Sequence, residues 1–309
     1  MNTFLPNLLK EIPDMEILLA EHSGFCFGVK RAIKIAMEAS DNKQPIYTLG
    51  PLIHSPQMVN ELAEHGIRLA EKPEDLHNST VIVRSHGITL SDREMLIKNG
   101  NTLIDATCPF VSKAQDFVKK LCSEDYPVII MGDKTHPEVI AMLSYCSTET
   151  LVVNNPDELP ERSWKKLGVL SQTTKNMSML QELVGRLVPN VEEMRLFNTI
   201  CTATTLRQDA TIALAKKCDL MIIIGGRNSS NTKMLATLCA GITGILHVET
   251  ADEIYAEQIS SHHRIGLTAG ASTPDYLIVD VYNKINELTG NRTSVKSVKD
   301  IPVNKEESC

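Results

Sequence analysis

Three cysteines, Cys26, Cys108 and Cys201, share one local setting. Each stands 24 positions before a glycine that ends an apolar run: Gly50 after PIYTL, Gly132 after PVIIM and Gly225 after LMIII. Four residues past each glycine sits a polar side chain, His54, His136 or Ser229. Free cysteines are often just small buried hydrophobes, but those would share no register. Cysteines at one position of a repeat point to a common task. Thiolates are the ligands of iron–sulfur clusters, and a [4Fe–4S] cube ordinarily takes four of them. Three leave one iron without a protein ligand, open to a substrate for Lewis-acid or redox chemistry. The chemistry expected is therefore catalysis at a cluster rather than electron carriage alone. No C-x-x-C pair occurs among the eight cysteines, so the zinc-ribbon and thioredoxin readings have no support.

Elements that repeat in step must hold these residues. Ahead of each cysteine lies a stretch of strand character: EILLAEHSGFC, NTLIDATC and LFNTIC. Behind each comes helical periodicity. Val29, Ile33 and Ala36 mark the first helix, and Val111, Ala114, Val118 and Leu121 the second. Leu206, Ala210, Ala213 and Leu214 mark the third. Pro109 suits a first helical turn. A further strand closes each unit, in VIVRSHG, LGVLSQTT and RIGLTAGAS, and each again ends in polar residues. Strands alternating with helices specify parallel sheets, whose ligands gather at the strands' carboxyl ends. The expected fold is α/β, with three pseudo-threefold-related units and small parallel sheets around a central iron–sulfur cluster. The units are expected at 15–107, 108–200 and 201–290, the N-terminal strand being free to pack with another unit. A tail at 291–309 is expected to cover the surface or the site.

With 309 residues and 42% hydrophobic content, the chain can bury a substantial core, and at 4% aromatic its packing must be aliphatic. A net charge of −7 with no basic stripe argues against nucleic acid and against an anionic membrane surface as partners. No apolar run approaches the roughly 18–20 residues that span a bilayer. The opening MNTFLPNLLKEIPD has no basic n-region, so a secretory signal is not expected there. A cytoplasmic location is expected, and with it free thiols rather than structural disulfides. Cys122 and Cys239 lie in apolar helical patterns and read as core. Cys218 precedes a strand, and Cys146 and Cys309 match nothing in the repeat.

A set of short motifs completes the picture. They are GFCFGV at 24–29, SHG at 85–87, DATCP at 105–109 and HPE at 136–138. SQTT at 171–174, ICTATT at 200–205, NSSNT at 228–232 and TAGASTP at 268–274 follow. In this order, from about Met15 to about Gly290, the chain resembles the IspH/LytB family of 4-hydroxy-3-methylbut-2-enyl diphosphate reductases. The resemblance implies that Cys26, Cys108 and Cys201 ligate one [4Fe–4S] cluster whose fourth iron takes the substrate hydroxyl. It implies diphosphate binding by His54, His86, His136, Ser229, Ser230, Asn231 and Ser272. Thr173 would be the active-site hydroxyl, in contact with substrate, and Glu138 the proton-delivering carboxylate.

The implied reaction is reductive dehydroxylation of (E)-4-hydroxy-3-methylbut-2-enyl diphosphate to isopentenyl and dimethylallyl diphosphates, the last step of the non-mevalonate isoprenoid pathway. It consumes two electrons and two protons, and by analogy a ferredoxin or flavodoxin delivers the electrons. Hydroxide leaves poorly, so protonating it and binding its oxygen to the open iron both help. Two rivals differ in kind. An iron–sulfur hydro-lyase would hold substrate carboxylates with arginine, which is scarce in these motifs. A non-enzymatic iron–sulfur sensor or carrier would not need Glu138 and Thr173.

Overall fold

The computed structural model describes residues 15–40, 45–290 and 293–296, the last four as backbone only. The chain opens with β1 (Met15–Leu19) and α1 (Phe27–Ser40). The first unit continues as β2 (Ile46–Leu49), α2 (Pro56–Glu64), β3 (Ile67–Ala70), β4 (Thr80–Val83), α3 (Leu90–Lys98) and β5 (Thr102–Asp105). The second repeats that order in α4 (Pro109–Ser123), β6 (Val128–Met131), α5 (Pro137–Ser144), β7 (Thr150–Val153), β8 (Trp164–Ser171), α6 (Met177–Leu187) and β9 (Val191–Leu196). The third has α7 (Thr202–Ala215), β10 (Leu220–Ile224), α8 (Ser230–Cys239), β11 (Gly244–Val248), α9 (Ala256–Ile259), β12 (Arg264–Ala269), α10 (Asp275–Leu288) and β13 (Thr293–Lys296).

Three parallel sheets result, in the orders β3-β2-β4-β5, β7-β6-β8-β9 and β11-β10-β12-β1-β13. The runs at the centres of β4, β6 and β10 are apolar and buried, because helices cover both faces of the sheets. Val81, Ile82 and Val83, Ile129 to Met131 and Met221 to Ile224 are all buried at 1% exposure or less. The strand before each cysteine sits in the sheet that an earlier or later segment builds. β5 leads to Cys108 from the first sheet and β9 leads to Cys201 from the second. β1 leads to Cys26 from the third, in register with β12 through Ile17 opposite Ile265. The threefold relation therefore closes in a circle. Residues 293–296 of the expected tail form β13, which pairs with β1 at the edge of that sheet. The stretch before Met15 and Cys309 lie outside the described residues.

Two expectations need correction. Cys122, in the last turn of α4, and Cys146, just past α5, form a disulfide with a Cα–Cα distance of 5.5 Å. The expectation of free thiols came from compartment alone and took no account of the converging ends of these helices. Cys122 is also buried in the second core, beside Tyr126 and Val128. The second correction concerns α7. Leu206 is 46% exposed, and the buried face is Thr204, Arg207, Gln208, Thr211, Leu214 and Ala215. A helix whose inner side is largely polar does not show itself by apolar periodicity.

Candidate active site

Backbone geometry seats the three cysteines alike. Cys108 and Cys201 are the N-caps of α4 and α7, and Cys26 directly precedes α1. Each cysteine N–H donates to a carbonyl just past a strand of a neighbouring segment. Cys26 bonds Ala271 at 3.1 Å, Cys108 bonds Ser85 at 3.0 Å and Cys201 bonds Thr173 at 3.0 Å. Those acceptors follow β12, β4 and β8, the closing strands of the three units. Gly28 has the thiols at its surface: a Cβ there would lie 2.6 Å from Cys108 Sγ and 3.9 Å from Cys26 Sγ. Burial raises the pKa of Cys108, against the pull of the Phe110 and Val111 N–H groups, and the Cys26 and Cys201 thiols raise it further. Burial raises Cys201 in the same way, opposed by the N–H groups of Ala203 and Thr204.

The histidines come from loops at the same strand ends. His54 follows β2, His86 follows β4, and His136 is the N-cap of α5. Their ring centroids lie 4.3 to 5.4 Å apart. His136 Nδ1 accepts from the Glu138 N–H at 3.2 Å, which leaves its Nε2 to face outward from that bond. Gly87, at φ +77°, turns the chain directly after His86, where a Cβ would meet the Gln115 side-chain amide. Burial is the main reason all three imidazoles stay neutral. It brings His54 down to about 4 and His136 to about 3, and holds His86 well below the ordinary value. Arg84 adds to the effect at each of them.

Glu138 is 1% exposed in the first turn of α5. The Thr173 N–H donates to its Oε1 at 2.7 Å and the Thr173 hydroxyl to its Oε2 at 2.8 Å. Both bonds favour the carboxylate, but burial outweighs them and lifts the pKa to about 7. Ser229 caps α8 by accepting from the Thr232 N–H at 3.3 Å. Ser230 accepts from Gln172 Nε2 at 3.1 Å and bonds Thr174 Oγ1 at 3.0 Å, tying the third unit to the second.

All twelve residues expected at the site line one cavity: the three cysteines, the three histidines, Glu138, Thr173, Ser229, Ser230, Asn231 and Ser272. Several of its polar atoms are buried and unpaired. These are His54 Nε2, His86 Nδ1 and both amide atoms of Asn231. Buried polar atoms are rarely left without partners, so this cluster marks where a polar ligand belongs. Arg207 also lines the cavity, and the sequence reading missed it. The signal was the run Thr204, Arg207/Gln208 and Thr211, polar residues at helical spacing. Among the described residues no helix is long and apolar enough to cross a membrane.

A family model described as LytB protein matches residues 17–286. A 4-hydroxy-3-methylbut-2-enyl diphosphate reductase of Geobacter sulfurreducens is 45% identical over 282 residues, covering 90% of this chain and 99% of that protein. The protein of that name from Aquifex aeolicus is 43% identical over 280 residues, 89% of this chain and 97% of its own. A solved structure described as (E)-4-hydroxy-3-methyl-but-2-enyl diphosphate reductase, the terminal enzyme of the non-mevalonate pathway, matches with a TM-score of 0.64. It is 42% identical and covers 88% of this chain and 99% of that one. The E-1-hydroxy-2-methyl-but-2-enyl-4-diphosphate reductase of Plasmodium falciparum gives a TM-score of 0.83 at 30% identity, covering 95% and 96%.

Proposed function

The chain belongs to the LytB protein family, and from that premise we propose that it reductively dehydroxylates (E)-4-hydroxy-3-methylbut-2-enyl diphosphate to isopentenyl and dimethylallyl diphosphates. The observation that carries this reading is a single cavity lined both by three thiols and by buried, unpaired histidine and asparagine atoms. An iron–sulfur site and a diphosphate site then share one space.

The residues fit a [4Fe–4S] cluster held by Cys26, Cys108 and Cys201. Three thiols from three segments face one cavity, and Gly28 leaves the room beside two of them that any side chain would fill. Such a cluster supplies electrons one at a time and a Lewis-acidic iron for the substrate hydroxyl. The rest of the work falls to the chain. His54, His86 and Asn231 offer their unpaired atoms to the diphosphate, with His136, Ser229, Ser230 and Ser272 around it. Holding the diphosphate fixes the allylic alcohol over the cysteines, a positioning effect. Glu138, poised near neutral pKa, holds a proton on its carboxyl, and the Thr173 hydroxyl at Oε2 passes it to the departing oxygen. Two electrons and two protons convert substrate to product and water. Cytoplasmic ferredoxin or flavodoxin is the donor we propose.

The test is anaerobic cluster reconstitution followed by assay with the hydroxymethylbutenyl diphosphate and a low-potential reductant. Formation of both isoprenoid diphosphates is expected. No product from protein carrying full iron and sulfide would overturn the reading. Glu138→Gln should lose turnover while its iron content stays at the wild-type level.

A further inference from the structure

Arg207 lies on the polar inner face of α7 and is 3% exposed. A guanidinium so far from water normally pairs with a carboxylate, because its desolvation must be offset. Among the described residues Arg207 forms no ion pair with one. Its Nη2 donates to the Gly24 carbonyl at 2.6 Å. Its Nε and Nη1 are buried and have no partner. The side chain lines the same cavity as the three thiols; burial lowers its pKa, and Cys26 and Cys201 oppose that by favouring the charged form. Gly24 stands two residues before Cys26, and Arg207 six after Cys201. One side chain thus joins the loop of one cysteine to the helix of another.

We propose that Arg207 is the built-in counter-cation of the cluster, a positioning residue that sets its reduction potential while fastening the Cys26 loop to α7. This rests on the reading that Cys26, Cys108 and Cys201 hold an iron–sulfur cluster. Arginine keeps its proton in proteins and offers five donors, of which the Gly24 bond uses one. The unpaired Nε and Nη1 donors are then left for the sulfurs of a bound cluster. Reduction adds a negative charge to the cluster, and a fixed cation in a poorly hydrated site stabilises that state. Hydrogen bonds to the sulfurs and net charge are established levers on cluster potentials.

The test compares reconstituted wild-type protein, Arg207→Lys and Arg207→Gln. Iron and sulfide are assayed, and midpoint potentials are read by EPR-monitored redox titration. Arg207→Gln is expected to shift to a more negative potential and Arg207→Lys, which keeps the charge, to stay near wild type. A packing role alone would change melting temperature or iron content without sorting the potentials by charge. Equal potentials in all three loaded proteins would overturn the inference and leave the cluster reading standing. A wild-type protein that takes up no iron and sulfide would overturn the cluster reading itself. If Arg207→Gln cannot retain the cluster, native circular dichroism with iron retained only in Arg207→Lys supports the counter-charge. Loss of iron from both variants with native circular dichroism overturns it.

Discussion

Three neutral imidazoles packed within 5.4 Å of each other would, on the proposed function, make an unusual receptor for a diphosphate. Their pKa values are depressed chiefly by burial, so near neutral pH they carry no proton. An arriving polyanion reverses the balance and favours imidazolium. Binding of a substrate analogue should therefore take up protons near neutral pH, and affinity should fall as pH rises past the histidines' bound-state pKa. Calorimetry in two buffers of different ionisation enthalpy reads the uptake directly. Identical heats in both would show that no proton moves. Glu138 titrates in the opposite sense. Its pKa is raised from 4.5 to about 7, so the folded protein binds more protons than the unfolded chain between those values. Its contribution to stability is present below the unfolded pKa and is lost as pH rises through about 7. A shift of that size corresponds to about 3 kcal/mol. Relative to Glu138→Gln, the wild type should lose melting temperature steadily across this window and no further above it. Parallel curves for the two proteins would contradict the raised pKa.

At the scale of elements, the helix starts matter most. Alanine in place of a helical glycine ordinarily adds about 1 kcal/mol of helix stability. At Gly28 the added Cβ would stand 2.6 Å from Cys108 Sγ, so the thiol must move. Gly28→Ala should keep its helical circular dichroism and take up less iron and sulfide than wild type. Wild-type stoichiometry would mean that the thiols tolerate the displacement. At the other end of α4, the Cys122–Cys146 link ties the last turn of that helix to the chain just past α5. Those two helices begin at Cys108 and at His136 and Glu138. Denatured apo-protein should show two fewer titratable thiols before reductant than after it, and equal counts would place both cysteines in the thiol form. The helix starts were legible in the sequence because cysteine, proline and histidine mark them. The inner face of α7 was not, since Thr204 and Arg207 answer to the cavity while Gln208 and Thr211 hydrogen-bond Asn176 and Thr268, none of them packing in an apolar core. The edge strands β3, β7 and β11 also escaped. They are four or five residues long and half-exposed, so the period of two barely registers.

Across the whole molecule, the spacing of cysteine and glycine disclosed three similar units, and every residue expected at the site faces one cavity. What spacing left open was the place of β1, the strand that the sequence reading allowed to pack with another unit. β1 looks like the first strand of the first unit, yet its partners are β12 and β13. Strand pairing over such a distance leaves no local trace, because Ile17 needs only an apolar neighbour and Ile265 supplies it. That arrangement bears on how the protein is made. Synthesis proceeds from the N-terminus, so Met15–Leu19 leaves the ribosome early, while Arg264–Ala269 emerges among the last segments. Until then β1 has no strand beside it, and the Cys26 N–H has no Ala271 carbonyl to hold it. A stalled or truncated nascent chain would possess Cys108 and Cys201 but no seated Cys26. On the proposed function, the pairing of β1 with β12 withholds one of the three cluster thiols from any chain that has not been translated nearly to its end.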